Sequence, residues 1–270
     1  MLTLRPHRYI PKRLVKMLVE VYEEKELNLA MEDAYKDKKH TLLNKRKVSH
    51  LDFQEFVSST TDSVYTQFNY FYPGKSFVKR KKIDSVKSDI KLHDILYISF
   101  TNFNDESAIN IEGLLHKYQH MTYLILDLRN NSGGKLEACL KIARQLLPIC
   151  DMLLLNYKEK QVIHRKINSE GYSFKKIFIL VNHRTASCSE ILTLMLVQKL
   201  QNVYLIGEGT VKKTVTLHSI TNIKHHYQFS ITDARWYVDD YDVHLFQNKI
   251  IPVERDGYMN QILKIIEGDD

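Results

Sequence analysis

The chain has 270 residues, 44% hydrophobic and 26% charged, a balance that allows a sizeable buried core and excludes disorder as the dominant state. Against 32 Asp and Glu stand 39 Lys and Arg, a formal charge of +7. No zinc-finger or RNP-type aromatic sequence accompanies that charge, so nucleic acid is not expected as a partner. The three cysteines, Cys139, Cys150 and Cys188, are too scattered for a disulfide framework or a metal site, and read as reduced thiols.

In chain order, Met1 to Lys16 is interrupted by Arg5, His7, Arg8, Lys12 and Arg13 and lacks the apolar stretch of a signal peptide. No run approaches the ~18 apolar residues of a spanning helix. The expectation is a cytoplasmic protein without a membrane anchor. Residues 12 to about 70 read as helical, with Leu14, Val15, Leu18, Val19 and Tyr22 at helical spacing and Phe53, Phe56 and Val57 in a second amphipathic stretch. Tyr72-Pro73-Gly74 breaks the pattern. The basic run from Lys75 to Lys87, with Lys79, Arg80, Lys81 and Lys82, reads as a solvated loop or edge.

From Ile95-Leu96-Tyr97-Ile98, a strand, the rhythm changes. Residues 106–118 predict a helix with Ile109, Leu114, Leu115 and Tyr118 inward, 122–128 a buried strand and 135–147 a helix. Strands are expected at 152–157, 177–182 and 203–206, and helices at 190–200 and 258–266. Strands alternating with helices of this length imply an α/β core. The division expected is a helical N-terminal region, 1–90, and a second domain, 91–270.

Three segments carry chemistry. Leu126-Asp127-Leu128-Arg129-Asn130-Asn131-Ser132-Gly133-Gly134 lies between a strand and a helix, where paired glycines permit a tight turn and expose N–H groups to an anion. Alone it is also an ordinary strand-to-helix turn. Val181-Asn182-His183-Arg184-Thr185-Ala186-Ser187-Cys188-Ser189-Glu190 places Ser187 at a helix start, among unpaired N–H groups that suit a nucleophile. A plain helix cap fits equally, and Thr185 or Ser189 could serve as one. Gly207-Glu208-Gly209-Thr210-Val211-Lys212-Lys213-Thr214 leaves the next strand; a lysine there acts as a base only if desolvation disfavours its charge.

Together, and in this order, these segments resemble the C-terminal-processing (tail-specific) and tricorn-core serine protease family, over roughly residues 93 to 267. The closing Ile251-Pro252-Val253 belongs to the same resemblance. It implies an α/β catalytic core like the Clp protease/crotonase superfamily and peptide-bond hydrolysis through an acyl-enzyme, with no metal and no cofactor. The nucleophile falls on Ser187. The oxyanion hole falls on the backbone N–H of Cys188 and of a glycine in Gly133-Gly134. The family's Gly-Lys-Gly is replaced by Lys212-Lys213-Thr214. Matching forward from Gly207-Glu208 places the lysine on Lys213, whereas counting the family's usual interval from the serine places it on Lys212; one of the two readings needs a one-residue insertion in the loop near Gln201. Insertions belong in loops, and Lys213 is preferred. Val211, Val215 and Leu217 are the expected apolar shelter.

A peptide or protein is the implied substrate, a homo-oligomer stays open, and no PDZ domain is expected in the region before residue 93. Some tricorn-like relatives pair the serine with a histidine, for which His93, His183 and His218 are the candidates here. Loss of both glycines around the lysine also fits a catalytically silent peptide-binding module of the same fold. A nucleic-acid-binding protein would rest on the net charge and the Lys75–Lys87 run alone.

Overall fold

The computed structural model describes residues 9–25, 32–59, 70–73, 86–91, 94–148, 150–157, 162–167, 171–222, 227–241, 243–254 and 257–268. In chain order they form β1 (Tyr9–Ile10), α1 (Lys12–Lys25), α2 (Glu32–Asn44), β2 (Val48–Ser49), α3 (His50–Ser59), β3 (Tyr70–Pro73), β4 (Val86–Lys91) and β5 (Ile95–Phe100). Then come α4 (Asp105–Lys117), β6 (Tyr123–Asp127), α5 (Leu136–Leu146), β7 (Cys150–Tyr157), β8 (Val162–Ile167), β9 (Lys176–Val181) and α6 (Cys188–Lys199). The chain continues through β10 (Val203–Gly207), β11 (Val215–Asn222), β12 (Tyr227–Tyr237), α7 (His244–Gln247), β13 (Ile250–Pro252) and α8 (Tyr258–Glu267). Among the described residues no helix is long and apolar enough to cross a membrane.

Two compact units result. The first takes residues 1–81, 156–162 and 215–235, and the second takes 82–155, 163–214 and 236–270. These units cut across the division at residue 90 read from the sequence. The reason is local pairing: β12 runs antiparallel to β11 from Val215↔Arg235 to Asn222↔Tyr227 and antiparallel to β3 from Tyr227↔Pro73 to Ser230↔Tyr70. That pairing carries Phe229 and Ile231 into one core with Val15, Leu18, Tyr22, Phe53, Phe56 and Val57. Phe53 meets the Phe229 ring edge-on at 5.3 Å, a favoured aromatic geometry. The N-terminal region is therefore helices interleaved with short strands, and the 12–70 stretch breaks into α1, α2 and α3.

In the second unit the strand order is β13-β10-β9-β6-β5-β4. β5, β6, β9, β10 and β13 are mutually parallel, and β4 closes one edge antiparallel. All five residues of β6 and all six of β9 are buried, the signature of central strands in a parallel sheet covered on both faces. On one face Ile95, Tyr123, Ile125, Phe178, Leu180 and Ile206 pack with Ile262 of α8. The buried Lys176 donates from Nζ to the Ile265 carbonyl near the end of that helix, placing a cation where the helix dipole favours one. α4 starts on a reciprocal cap, with Ser107 N–H donating to Asn104 Oδ1 at 2.8 Å and Asn104 N–H to Ser107 Oγ at 2.9 Å. Its inward face is Ala108, Ile111 and Leu115. Ile109, expected inward, is 62% exposed, whereas Leu115 is buried as expected and shares its face with Ala108 and Ile111.

Candidate active site

β6, β9 and β10 are parallel neighbours, so the segments that follow them open at the same edge of the sheet. The three motifs, far apart in sequence, leave these strands in turn. In open α/β sheets this carboxyl edge is where ligands bind.

The turn after β9 is bound to the loop after β6. Ala186 N–H donates to the Asn131 carbonyl at 3.0 Å, and Thr185 Oγ1 donates to the Leu128 carbonyl at 2.9 Å. Ser189 is fully buried, and its hydroxyl donates to the same Asn131 carbonyl at 3.0 Å. Thr185 and Ser189, the other hydroxyls considered for a cap, are thus committed to structure. Ser187 is half-buried and sits at φ 56°, ψ −120°, a left-handed backbone that costs a non-glycine residue of order 1–3 kcal/mol. Its N–H donates to Glu190 Oε2 at 2.8 Å.

The two glycines lie against this turn. Gly133 has φ 99° and Gly134 φ 151°. A methyl group on Gly133 would stand 2.8 Å from Ser187 Cβ and 3.0 Å from the Cys188 nitrogen, so only glycine allows the approach. Gly133 N–H donates to Asn131 Oδ1 at 2.9 Å, and Asn131, itself fully buried, donates from Nδ2 to the Phe100 carbonyl at 2.9 Å. Phe103 N–H donates to the Gly133 carbonyl and Lys135 N–H to the Phe103 carbonyl. In this parallel bridge the peptide groups of Gly134 itself turn away from Phe103. Its carbonyl accepts the Cys188 thiol at 3.3 Å. The Cys188 N–H, at the first position of α6, has no intrahelical acceptor.

Glu190 joins the turn to the segment after β10. Fully buried, its Oε1 accepts from Thr210 Oγ1 at 2.6 Å and from Lys212 N–H at 2.6 Å, while Oε2 accepts from Ser187 N–H and, at 3.0 Å, from Lys213 N–H. Burial raises its pKa, and the bonds from Thr210, Ser187, Lys213 and Lys212 work against that rise. Val211 N–H adds a bond to the Thr185 carbonyl at 3.0 Å, and Trp236 Nε1, from a fully buried ring, donates to the Lys213 carbonyl at 3.0 Å. Lys212 is exposed with φ 63°, and Lys213 is half-buried. The Cys188 thiol is lowered, first by its hydrogen bond with Cys139 and also by the charge of Lys213. Val211, expected to shelter the lysine, is 40% exposed because it lies in the open segment between β10 and β11. Val215 and Leu217 belong to β11 in the first unit.

Of the histidines, His183 is exposed and its Nδ1 lies 2.9 Å from Glu208 Oε2. His218 is on β11 in the first unit. His93 and residues 75–85 of the basic run lie outside the described residues. Sequence reasoning passed over Glu190 and Asn131. The signal for the first was present, since Ser187-x-x-Glu190 reads as a capping box. Asn131 lies two residues before Gly133 in the first motif, where its side chain received no role.

Residues 94–254 match Peptidase family S41. The chain is 30% identical over 151 residues to the carboxyl-terminal-processing protease of Synechocystis sp., covering 55% of this chain and 35% of that protein. It is 30% identical over 144 residues to the chloroplastic carboxyl-terminal-processing peptidase 3 of Arabidopsis thaliana, covering 52% and 27%. The chain thus spans about a third of the length of these curated relatives. Among solved structures, a lipoprotein from Streptococcus agalactiae superposes with TM-score 0.67 at 19% identity, covering 89% of this chain and 92% of that one. The photosystem II D1 C-terminal processing protease superposes with TM-score 0.50 at 22% identity, covering 61% and 47%. These likenesses fit the Clp/crotonase-like core expected from the motifs, and the match across residues 94–254 places the chain in Peptidase family S41.

Proposed function

We propose that the protein is a serine peptidase in which Ser187 is the nucleophile and Lys213 the general base. The observation that carries this reading is Glu190: one buried carboxylate accepts the N–H groups of Ser187, Lys212 and Lys213, binding the nucleophile turn and the lysine segment into one corner. Lys213 is favoured over Lys212 on two grounds. It is the half-buried member of the pair, and its charge acts on the thiol next to Ser187. Lys212 holds the left-handed backbone that suits glycine, so the first glycine of the Gly-Lys-Gly pattern aligns with position 212 and its lysine with 213.

In this mechanism Ser187 Oγ gives its proton to Lys213 Nζ and attacks the scissile carbonyl. The N–H groups of Cys188 and Gly134 hold the oxyanion, Gly133 supplying the close approach. Collapse expels the amine, which takes the proton back from Lys213, and water then releases the acyl group from Ser187 by the same route. A preorganised donor of this kind contributes about 3 kcal/mol to transition-state stabilisation. The names of the relatives support peptide or protein as the substrate class. The free thiols Cys139 and Cys188 support a reducing compartment such as the cytoplasm.

The test is labelling with a fluorophosphonate probe, run beside hydrolysis of an unfolded protein. The wild-type chain is expected to label, with labelling lost in Ser187→Ala. Equal labelling of Ser187→Ala and wild type would overturn the assignment.

A further inference from the structure

We infer that Cys139 and Cys188 form a site of oxidative modification, at which a peroxide joins the two thiols as a disulfide and disables the turn beside Ser187. The modification stands on the geometry of the thiols. Its consequence for Ser187 rests on the peptidase reading.

Both cysteines are free and buried, at 0% and 3% exposure. Cys139 projects from α5 and Cys188 from the first position of α6, and the Cys139 thiol reaches the backbone carbonyl of Cys188. Each thiol also holds backbone of the candidate oxyanion hole. Cys139 Sγ–H donates to the Cys188 carbonyl at 3.4 Å, and Cys188 Sγ–H donates to the Gly134 carbonyl at 3.3 Å. A disulfide removes both protons, and so both hydrogen bonds, while drawing the sulfurs into covalent contact. The peptide groups of Cys188 and Gly134 then lose the ties that fix them.

The pair is asymmetric in the way such chemistry requires. Burial pushes the Cys139 thiol up, whereas Cys188 is lowered by its bond with Cys139 and by the Gly134 and Lys213 surroundings. Cys188 is therefore the attacking sulfur. It directly follows the half-buried Ser187 in the chain. The Cys188 thiolate attacks one peroxide oxygen, the O–O bond breaks and hydroxide leaves, giving a sulfenic acid. Cys139 sulfur then attacks the Cys188 sulfur and displaces its oxygen as water, with the Cys139 proton accounting for the balance. In sum two thiols and one hydrogen peroxide become one disulfide and two waters; sulfur is oxidised and peroxide oxygen reduced.

The experiment treats the reduced full chain with hydrogen peroxide, alkylates it after unfolding, and maps its peptides by mass spectrometry while fluorophosphonate labelling of Ser187 is followed. The expected product is a Cys139–Cys188 linked peptide with Cys150 alkylated, reversed by dithiothreitol. Labelling should fall at least about tenfold and return on reduction, consistent with a displaced oxyanion donor. Cys139→Ala, or Cys139→Ser should the first variant fold poorly, should form no linked peptide with Cys188 in peroxide. Full alkylation of all three cysteines, linkage through Cys150, or Cys188 advancing to a sulfinic acid without a disulfide would each overturn the site. A Cys139–Cys188 disulfide with unchanged labelling would overturn the consequence. If the chain labels in neither state, the peptidase reading fails, while the linked peptide alone still decides the site.

Discussion

Ser187 combines two properties that a plain helix cap does not need: a left-handed backbone and a hydroxyl left half-buried while Ser189 and Thr185 are bonded inward. Removing its oxygen should therefore cost function and little else. Ser187→Ala is expected to abolish fluorophosphonate labelling while changing stability by no more than about 1 kcal/mol in denaturant titration. Ser189→Ala should lose about 1 kcal/mol from its buried bond yet still label. The lysines separate in the same assay. Lys213→Ala should eliminate turnover, and Lys213→Arg should not restore it, because a guanidinium does not deprotonate at working pH. Lys212→Ala should be nearly silent, and Lys212→Gly should raise stability by up to about 1 kcal/mol by relieving the left-handed backbone. Activity in Lys213→Ala equal to wild type would end the Ser–Lys assignment. Glu190 is a positioning residue. Glu190→Gln turns an acceptor oxygen into an NH2 group facing N–H donors and should cost about 1–3 kcal/mol, with turnover falling and substrate KM little changed.

Among the elements, the loop after β6 is held to the turn that starts α6 through its own backbone carbonyls, which accept from Ala186 N–H, Thr185 Oγ1 and Ser189 Oγ. Gly134 shows how little room it has: a methyl group there would lie 2.2 Å from the Phe103 carbonyl oxygen, and φ is already 151°. Gly134→Ala should displace this loop, destabilise the fold by more than about 2 kcal/mol and remove Ser187 labelling. Gly113, inside α4, has nothing within 4 Å of the corresponding position. There the same change should stabilise by about 0.5–1 kcal/mol, since glycine is the costly residue in a helix interior. Thermal melts of the two variants check the contrast. A neutral Gly134→Ala would mean that the Phe103–Gly133–Gly134 junction is looser than its hydrogen bonds indicate.

Across the molecule, the stability held by Glu190 and the proposed rate respond to pH with opposite signs. Burial raises the Glu190 carboxyl above its value in the unfolded chain. The folded state then binds a proton more tightly than the unfolded state does, so this group's stabilisation is complete below the ordinary glutamate range and declines as pH rises through the folded value. Urea midpoints measured across this range should show a downward limb in the wild type that flattens in Glu190→Gln, which cannot titrate. The proposed reaction needs Lys213 without its proton, and an ordinary lysine titrates near 10.4, so hydrolysis should accelerate with pH on a single limb. A bell-shaped profile centred near neutrality would point to a histidine base instead.

The amino-acid sequence by itself determined the α/β rhythm of residues 95–207 and the place of Ser187, because both are local matters. A strand buried on both faces is apolar along its middle, as 124–126 of β6 and 177–181 of β9 are, and the Ser187-x-x-Glu190 pair that starts α6 lies within one helical turn. The sequence left open which lysine is the candidate base, since neighbouring side chains differ only in direction; the left-handed backbone at Lys212 and the half-burial of Lys213 are what favour Lys213. Nor did it reveal that β11 and β12, 140 or more residues beyond β3, join the N-terminal helices in one unit. Pairing between distant strands depends on register and on partners absent from any local window, so only the tertiary structure decided where Phe229 and Ile231 are buried.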